Sequence, residues 1–446
     1  MTQSFDVVVI GSGVAGKSIA SGLAAADRTV AIIEEDLWGG TCPNRGCDPK
    51  KVLVSAVEAQ DKAAQMSGKG IEGQQIVNWP DLMAFKKTFT DPVPEQSKKS
   101  LESAGVTTIT GSAEFIGKNT LQIKDTVIKG TQFVIAAGAR PFLLDIPGQE
   151  HFLTSDDFLS LPEMPDVVTF VGGGYISFEL AAIANAAGAE VHIVQHNDRP
   201  LKAYKQDYVE EVMKQLENKG VTFHLNTSIA EIEKIDHGYR LTDDSDFDLT
   251  TDLVFGTTGR VPNIERLNLE QVGVDYGKAG IKVDDYLRTS DSSIFAIGDC
   301  IAKNQPNLTP VSSFEASYLL DYLTGESSEP IAYPSIPTIV FTSPRLAQIG
   351  VTEKDATEDP ETYDVSTIDA TKWFSYSRSN EPVSDVTIVT EKETGFLVGA
   401  ACINNEADQL INYFSFLINQ KIKTENLSDM IFAYPSIASD LPSLYS

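Results

Sequence analysis

The sequence predicts an α/β fold with two Rossmann-like domains, followed by a C-terminal α+β domain. Two stretches indicate the α/β domains. FDVVVIGSGVAG at 5–16 and VVTFVGGGYIS at 167–177 each run from an apolar strand through a glycine turn into a helical pattern. The third observation lies beyond Pro334, where apolar strands accompany an amphipathic helical segment at 408–420. One face of that segment predicts a core or an interface between chains; it carries Leu410, Ile411, Phe414, Leu417 and Ile418.

The chain is 446 residues long, enough for about three domains of ~150 residues each. It has 63 acidic and 35 basic residues, and its formal net charge of −28 repels phosphate backbones and anionic lipid surfaces. We therefore expect no nucleic-acid partner. No apolar run approaches the ~20 residues that span a bilayer, and the N-terminal residues lack a signal-peptide pattern. These features predict no membrane association and a cytoplasmic location.

The first glycine turn contains Gly11, Gly13 and Gly16, and a second apolar strand then ends at Glu34. Glycines at this spacing let the backbone approach a pyrophosphate at a helix N-terminus, and an acid about 20 residues further on accepts the ribose hydroxyls. The strand before the turn and the helix after it favour a dinucleotide site over a glycine turn without a ligand.

The second turn contains Gly172 and Gly174, with Ser177 replacing the third glycine. Gln195 follows Gly172 by 23 positions, the separation between Gly11 and Glu34 in the first unit. The second unit therefore repeats the first without its acid.

A carboxylate at Gln195 would repel a 2′-phosphate, whereas an amide near His196, Arg199 and Lys202 offers donors and positive charge. This difference predicts NADPH rather than NADH at the second site. The alternative is that the basic residues form an ordinary solvated loop. Two dinucleotide sites in one chain suggest that one cofactor passes electrons to the other, which indicates an oxidoreductase.

Cys42 and Cys47 lie close together in the stretch GGTCPNRGCDPKK, directly after the first nucleotide unit. They could be metal ligands, a structural staple, bystanders or a redox pair. A metal site is disfavoured because the chain has no second close cysteine pair and its five histidines are scattered. Cys47 opens a helical pattern, and the helix N-terminus together with Lys50 and Lys51 would stabilise its thiolate.

Eight ordered motifs make the chain resemble the flavoprotein disulfide reductases of the glutathione reductase, dihydrolipoamide dehydrogenase and mercuric reductase group, most closely the glutathione reductase branch. They cover nearly the whole chain. The motifs are GSGVAG at 11–16, GGTCPNRGCDPKK at 39–51, AAGARP at 136–141, GGGYISFE at 172–179, TGRVPN at 258–263, AIGD at 296–299, LTPV at 308–311 and IPTIVFTSP at 336–344.

The resemblance implies FAD at the first site, NADPH at the second and a Cys42–Cys47 disulfide against the flavin. It assigns Cys47 as the flavin-proximal, charge-transfer thiol and Cys42 as the thiol that attacks substrate. Lys50 resembles the lysine near the flavin N5, Glu179 the carboxylate that pairs with it, and Tyr175 the tyrosine that covers the flavin until NADPH displaces it. Further cofactor contacts are implied for Gly40, Thr41, Gly138, Gly259, Arg260 and Asp299, the last on the ribityl and pyrophosphate region. A surface, packing or capping role is the alternative for each side chain.

The C-terminal segment AYPSIASDL departs from the family pattern. Tyr434 stands where the family has the histidine that reaches into the partner subunit as acid/base, and Ser439, next to Asp440, replaces its glutamate. Positioned proton transfer typically contributes ~10²–10⁴ in rate. Three interpretations stay open. Tyr434 transfers the proton in a modified way, the acceptor needs no such proton transfer, or the tyrosine has a structural role at a homodimer interface.

These observations predict a first FAD-binding part at 1–142, a nucleotide domain at 143–262, a return of the FAD domain at 263–330 and a dimerisation domain at 334–446. The leading hypothesis is a homodimeric enzyme that passes electrons from NADPH through FAD and the cysteine pair to a small disulfide. Arg45, between the cysteines, would suit an acidic thiol such as glutathione. The alternatives are a flavin-centred reductase of a quinone, metal ion or oxidant, and a redox sensor or scaffold without turnover.

Overall fold

A computed structural model describes residues 2–445 of the chain. They form two compact units. The first contains the residues up to Lys51 together with Ala84–Phe142 and Gly259–Ala332. The second contains Val52–Met83, Leu143–Thr258 and the residues from Tyr333 onwards. The domain limits expected from the sequence stay predictions.

The elements up to residue 142 are those of the first βαβ unit and the cysteine-bearing helices. They are β1 (Thr2–Ile10), α1 (Val14–Ala25), β2 (Val30–Glu34), α2 (Thr41–Arg45), α3 (Cys47–Gln65), α4 (Trp79–Thr90), α5 (Val93–Ser103), β3 (Thr107–Thr110), β4 (Glu114–Gly117), β5 (Thr120–Ile123), β6 (Thr126–Ile135) and β7 (Ala139–Pro141).

The second βαβ unit follows, and a three-stranded meander is inserted in it. Its elements are α6 (Ser155–Phe158), β8 (Val167–Val171), α7 (Tyr175–Ala186), β9 (Glu190–Val194), α8 (Gln206–Asn218), β10 (Val221–His224), β11 (Glu231–Lys234), β12 (Tyr239–Thr242), β13 (Asp248–Thr251) and β14 (Leu253–Gly256).

The remaining elements complete the first unit and then build the C-terminal sheet and its helices. They are β15 (Arg260–Pro262), β16 (Tyr276–Gly277), β17 (Gly280–Ile281), β18 (Ile294–Ala296), α9 (Thr309–Thr324), β19 (Thr338–Val340), β20 (Arg345–Gly350), α10 (Glu353–Glu358), β21 (Tyr363–Asp369), α11 (Phe374–Ser377), β22 (Asp385–Glu391), β23 (Leu397–Asn404), α12 (Ala407–Asn419) and α13 (Ile437–Asp440).

The main sheet of the first unit has the strand order β3-β2-β1-β6-β5-β4, with β18 also paired to β6. The strands β3, β2, β1, β6 and β18 pair in parallel, whereas β5 is antiparallel to both β6 and β4. Val7, Val8 and Val9 of β1 are buried, as expected for a central parallel strand. The carboxyl end of β1 therefore delivers the chain directly to the first glycine turn.

The second unit contains a parallel sheet of order β10-β9-β8-β14, the antiparallel meander β11-β12-β13 and a five-stranded antiparallel sheet of order β19-β20-β23-β22-β21. Helix α12 packs against the five-stranded sheet through Leu410, Ile411, Phe414 and Leu417, which are all buried. The predicted α/β fold with a C-terminal α+β region is thus confirmed, as is the apolar face of the segment at 408–420. Among residues 2–445, no helix has the length and apolarity that crossing a membrane requires.

Candidate active site

The first glycine turn connects β1 to α1 with backbone contacts that exclude side chains. A Cβ on Gly16 would lie 1.9 Å from the carbonyl oxygen of Gly11, and Gly11 itself has a φ of +99°. The Cβ position of Gly13 is open, and none of the described side chains caps α1. The turn therefore presents backbone N–H groups at a helix N-terminus, which suits a pyrophosphate.

Glu34, at the end of β2, folds back onto this turn. Its Oε2 accepts hydrogen bonds from the backbone N–H of Ser12 (2.9 Å) and from the Ser12 hydroxyl (2.7 Å), and its Oε1 accepts one from the Asp36 N–H (2.9 Å). A carboxylate offers about four acceptor sites, so capacity remains for ribose hydroxyls. Sequence reasoning missed Ser12, although its place between two glycines of the turn was a usable signal.

The second glycine turn repeats the first, with one difference. Gly172 has a φ of +124°, and a Cβ there would lie 2.5 Å from the carbonyl oxygen of Thr257. Where the first turn has its third glycine, the Ser177 hydroxyl bonds to the Gly172 carbonyl and to the Thr257 hydroxyl. The serine therefore replaces a close backbone approach with a hydrogen bond. The Cβ position of Gly174 is open, like that of Gly13.

Gln195 holds the position that Glu34 has in the first unit. Its Oε1 accepts a hydrogen bond from the Gly173 N–H (2.7 Å), and its Nε2 donates to Asn197 (2.8 Å). Both ends of the amide are thus engaged within the protein. Donors for a ligand are left to the exposed side chains of His196, Arg199 and Lys202.

The cysteine turn packs directly on the first glycine turn. A Cβ on Gly40, the residue before α2, would lie 2.4 Å from the Gly13 Cα. Thr41 is the exposed first residue of α2. A Cβ on Gly46 would lie 3.0 Å from the Cys42 Cα, so a glycine there lets α3 begin at Cys47, immediately beside α2. The structure confirms the predicted helix that Cys47 opens.

Cys42 and Cys47 are free thiols, and a hydrogen bond joins their side chains. The hydrogen bond from Cys42 lowers the pKa of Cys47 from 9.0 to about 6; the Thr309 hydroxyl, Lys50 and Lys51 act in the same direction, and burial opposes them. The same bond, together with burial, raises the pKa of Cys42 well above its ordinary value. At neutral pH, Cys47 is therefore a thiolate and Cys42 keeps its proton.

Thr309 and Arg45 change the sequence-based description of this site. The hydroxyl of Thr309, the first residue of α9, lies 3.6 Å from the Cys47 sulfur. Sequence reasoning quoted the LTPV motif but gave this threonine no role. Arg45, expected to offer a cation to an acidic substrate, forms an ion pair with Asp36 at 2.7 Å. Its charge is therefore partly neutralised within the protein.

Asp299 lies after β18, in the same unit as the cysteines and the first glycine turn. Burial raises its pKa, while Lys303 and Arg260 act in the opposite direction. Behind it, Lys303 forms a buried ion pair with Glu315 at 2.7 Å, and Glu315 also accepts a hydrogen bond from the Gly298 N–H at 2.6 Å. This pair fixes the backbone next to Asp299, and the sequence gave no direct signal for it.

Three further predicted cofactor residues come together in the first unit. Strand β15, which begins at Arg260, pairs with β7, and the Arg260 guanidinium bonds to the Ala139 carbonyl. Gly259 has a φ of +119° and Gly138 a φ of +68°, with open Cβ positions at both. The first unit therefore has a cradle that fits a dinucleotide such as FAD. It is formed by the open glycines, the uncapped α1 and the half-buried Asp299.

Tyr175 and Glu179 both lie on α7, in the second unit. Tyr175 is the first residue of the helix and is 45% exposed. Glu179 is 1% exposed and accepts a hydrogen bond from the Phe341 N–H at 2.8 Å. Lys50 belongs to the first unit, so its pairing with Glu179 stays a prediction.

Tyr434 lies in the C-terminal segment and is 73% exposed. Its ring stacks on that of Phe374, with centroids 6.2 Å apart and an angle of 18° between the planes. Ser439 exchanges hydrogen bonds with Ser436 at the start of α13, at 3.2 and 3.3 Å. Among residues 2–445, neither Ser439 nor Asp440 forms a hydrogen bond with Tyr434, so the residues at and beside the position of the family's glutamate do not orient the tyrosine in this way.

Two dinucleotide turns and a dithiol whose thiolate lies at a helix start define the class: a redox enzyme that works with nucleotide cofactors. Residues 5–316 match the family described as pyridine nucleotide-disulphide oxidoreductase, and residues 336–444 match the dimerisation domain of the same family. The chain therefore belongs to the class I FAD-dependent pyridine nucleotide-disulfide oxidoreductases, and it is an enzyme that uses FAD and a pyridine nucleotide.

Similar proteins come from two branches of this family. Dihydrolipoyl dehydrogenase 3 of Haloarcula marismortui is 29% identical over 98% of this chain and 95% of its own length. A glutathione reductase of Nostoc sp. is 27% identical over 100% of both chains. Among solved structures, the HOCl-induced flavoprotein disulfide reductase RclA from Escherichia coli has a TM-score of 0.90 at 25% identity over 99% of both chains. Another solved structure is a Cu(II) complex of RclA, with the same TM-score.

Proposed function

We propose that the enzyme passes two electrons from NADPH through FAD to a Cys42–Cys47 disulfide, and from the resulting dithiol to a small disulfide substrate. One observation carries the proposal: the two thiols share a hydrogen bond that leaves Cys47 with a pKa of about 6 and Cys42 protonated. A pair with one stable thiolate and one retained proton is suited to thiol–disulfide exchange, in which the two sulfurs have separate tasks.

The residues of the first unit would hold FAD, which supplies the two-electron transfer between the nicotinamide and the disulfide. They are Gly11, Gly13, Gly16, Glu34, Gly40, Thr41, Gly138, Gly259, Arg260 and Asp299, with Lys50 near the reacting face. Gly172, Gly174, Tyr175, His196, Arg199 and Lys202 would bind NADPH, and Glu179 would pair with Lys50. Overall, NADPH, one proton and one disulfide become NADP⁺ and two thiols.

Within the dithiol, Cys42 is the thiol that would attack the substrate. As its sulfur forms a bond to one substrate sulfur, Cys42 would give up its proton, and the other substrate sulfur would leave and take up a proton as the first product thiol. The thiolate of Cys47 would then attack the Cys42 sulfur, re-form the Cys42–Cys47 bond and release the bound substrate sulfur as a thiolate, which takes up the one proton consumed overall. Tyr434, acting across a homodimer as the family pattern implies, would relay the first of these protons: its hydroxyl would donate to the departing sulfur and take up the proton of Cys42.

The exposed apolar side chains of the C-terminal domain support a homodimer of this chain. Four large apolar side chains of this domain are exposed, at fractions from 46% to 102%: Phe374, which stacks on Tyr434, and Phe416, Met430 and Ile431. Large exposed apolar groups that form a patch usually mark an interaction surface, and all four residues lie within the matched dimerisation domain. The cytoplasmic location expected from the sequence stays a prediction.

An acceptor screen tests this function. NADPH consumption would be measured with glutathione disulfide, lipoamide, menadione and Cu(II) for the wild type, Cys42→Ser and the matched control Cys402→Ala. Cys402 is fully buried in β23 and belongs to the second compact unit. We expect a disulfide to be turned over by the wild type and the control but not by Cys42→Ser. Equal disulfide turnover by Cys42→Ser would refute the relay.

A second candidate is a reductase that passes electrons from the flavin directly to a metal ion, quinone or oxidant. Two observations favour it. The chain has no histidine after His237, so the family's acid/base is missing. Solved neighbours include Cu(II) complexes of the HOCl-induced flavoprotein disulfide reductase RclA, one of them a cysteine-to-serine mutant. In this case Cys42→Ser would retain its turnover of menadione or Cu(II), and no disulfide would be reduced.

A further inference from the structure

Asn197 lies in the loop after β9 and forms hydrogen bonds with three of its neighbours. Its Oδ1 accepts from the Gln195 side chain at 2.8 Å and from the Arg199 N–H at 2.9 Å. Its Nδ2 contacts the His196 Nε2 at 2.9 Å. One amide thus links the residue that replaces the ribose-binding acid to two of the basic residues predicted to bind a phosphate.

The orientation of this amide is fixed by its partners. Gln195 Nε2 and the Arg199 N–H are both donors, so the atom of Asn197 that faces them must be the oxygen. Its NH₂ group consequently faces His196 and donates to Nε2. A neutral imidazole that accepts at Nε2 carries its proton on Nδ1, which leaves Nδ1–H as the donor available to a ligand.

The loop is also secured at both of its ends. Gln195 accepts a hydrogen bond from the Gly173 N–H of the second glycine turn at 2.7 Å. The backbone oxygen of Gln195 accepts from the Thr227 N–H at 3.0 Å, and that of Asn197 accepts from the Asn226 N–H at 3.3 Å. A continuous set of bonds therefore runs from the glycine turn through Asn197 to the basic residues.

We propose that Asn197 is a positioning residue for the 2′-phosphate of NADPH. It fixes the His196 ring with Nδ1–H free and holds the Arg199 backbone, so that both groups are preorganised for a phosphate before the nucleotide binds. The inference rests on the proposed binding of NADPH at this glycine turn. It adds a residue that acts on the phosphate through its neighbours and makes no phosphate contact of its own.

The test measures binding by titration calorimetry, which requires no electron transfer. The probes are adenosine 2′,5′-bisphosphate, which carries the 2′-phosphate, and AMP, which lacks it. The variants are Asn197→Ala, Asn197→Ser, His196→Ala, the double variant Asn197→Ala/His196→Ala and a matched control, Asn218→Ala. Asn218 is the exposed last residue of α8 in the same unit.

We expect the wild type and the control to bind the bisphosphate at least about tenfold more tightly than AMP. Asn197→Ala and Asn197→Ser should bind the bisphosphate roughly tenfold more weakly, about the effect of one charge-assisted hydrogen bond, with AMP changed less than about twofold. Because Asn197 acts partly through His196, the double variant should lose less than the product of the single losses. Equal weakening of both probes, unchanged bisphosphate binding or a wild type that does not discriminate would overturn the inference.

Failure of this inference is separable from failure of the proposed function. If the bisphosphate pattern holds while NADPH does not reduce the enzyme's flavin in a stopped-flow experiment, the proposed electron route fails and the role of Asn197 stands. If NADPH or NADH reduces the flavin and Asn197→Ala weakens both probes alike, the electron route stands and Asn197 is only a structural residue of the loop.

Discussion

Replacing Cys42 with alanine should raise the pKa of Cys47. In the wild type that pKa lies at about 6, against an ordinary 9.0, and the hydrogen bond from Cys42 is the largest cause. The difference of about three pH units would correspond to roughly 4 kcal/mol for a fully buried group, and solvent screening reduces this energy because Cys47 is exposed. Because Thr309, Lys50 and Lys51 remain in the variant, we expect a partial loss, with the pKa of Cys47 rising by at least about one pH unit, or ~1.4 kcal/mol.

The assay is the rate of iodoacetamide alkylation at Cys47, followed by peptide mass spectrometry on the reduced protein from about pH 5 to pH 9, because only the thiolate reacts. The wild-type rate should reach half its plateau near pH 6, and that of Cys42→Ala at a clearly higher pH. Thr309→Ala should give a smaller rise. Cys402→Ala, which changes a buried thiol elsewhere, should leave the profile unchanged. An unshifted midpoint in Cys42→Ala would refute our account of how the thiolate is stabilised.

The remaining predictions concern the nucleotide supports and the proton donor. Glu315→Gln removes the buried charge that forms the ion pair with Lys303, so we expect a loss of about 3–5 kcal/mol and release of FAD at lower urea concentration. The exposed Glu358→Gln should change stability by less than ~0.5 kcal/mol. Gly172→Ala places a Cβ 2.5 Å from a backbone oxygen at a φ of +124° and should cost at least ~1–3 kcal/mol by thermal unfolding, with the open position Gly174→Ala tolerated. Tyr434→Phe should slow disulfide turnover about tenfold or more while flavin reduction by NADPH in stopped flow is unchanged; undiminished turnover would assign Tyr434 a structural role.

The two βαβ units could be predicted because their signals are local. A glycine turn between an apolar strand and a helix has few alternative structures, and the spacing from Gly11 to Glu34 places both residues at one edge of a parallel sheet. The start of α3 at Cys47 and the apolar face of α12 follow from equally local patterns. These local patterns were sufficient to predict the fold and to single out the cysteine pair.

The parts that sequence reasoning missed depend on residues far apart in the chain or on side-chain geometry. Thr309 approaches Cys47 from 262 positions away, and no local pattern joins them. Arg45 was expected to face a substrate, but Asp36, nine positions earlier, pairs with it. The sequence assigned no role to Asn197, which lies among basic residues, because its role depends on the directions of its hydrogen bonds.

The central claim is that electrons leave the flavin through the cysteine pair, and an anaerobic titration with NADPH tests it most directly. The flavin spectrum of the purified enzyme would be followed for the wild type and Cys42→Ser. We predict that the wild type takes up two electrons, develops a long-wavelength thiolate–flavin charge-transfer band and keeps its flavin oxidised, because the Cys47 thiolate persists at neutral pH. Bleaching of the wild-type flavin at the first equivalent, without such a band, would contradict the account.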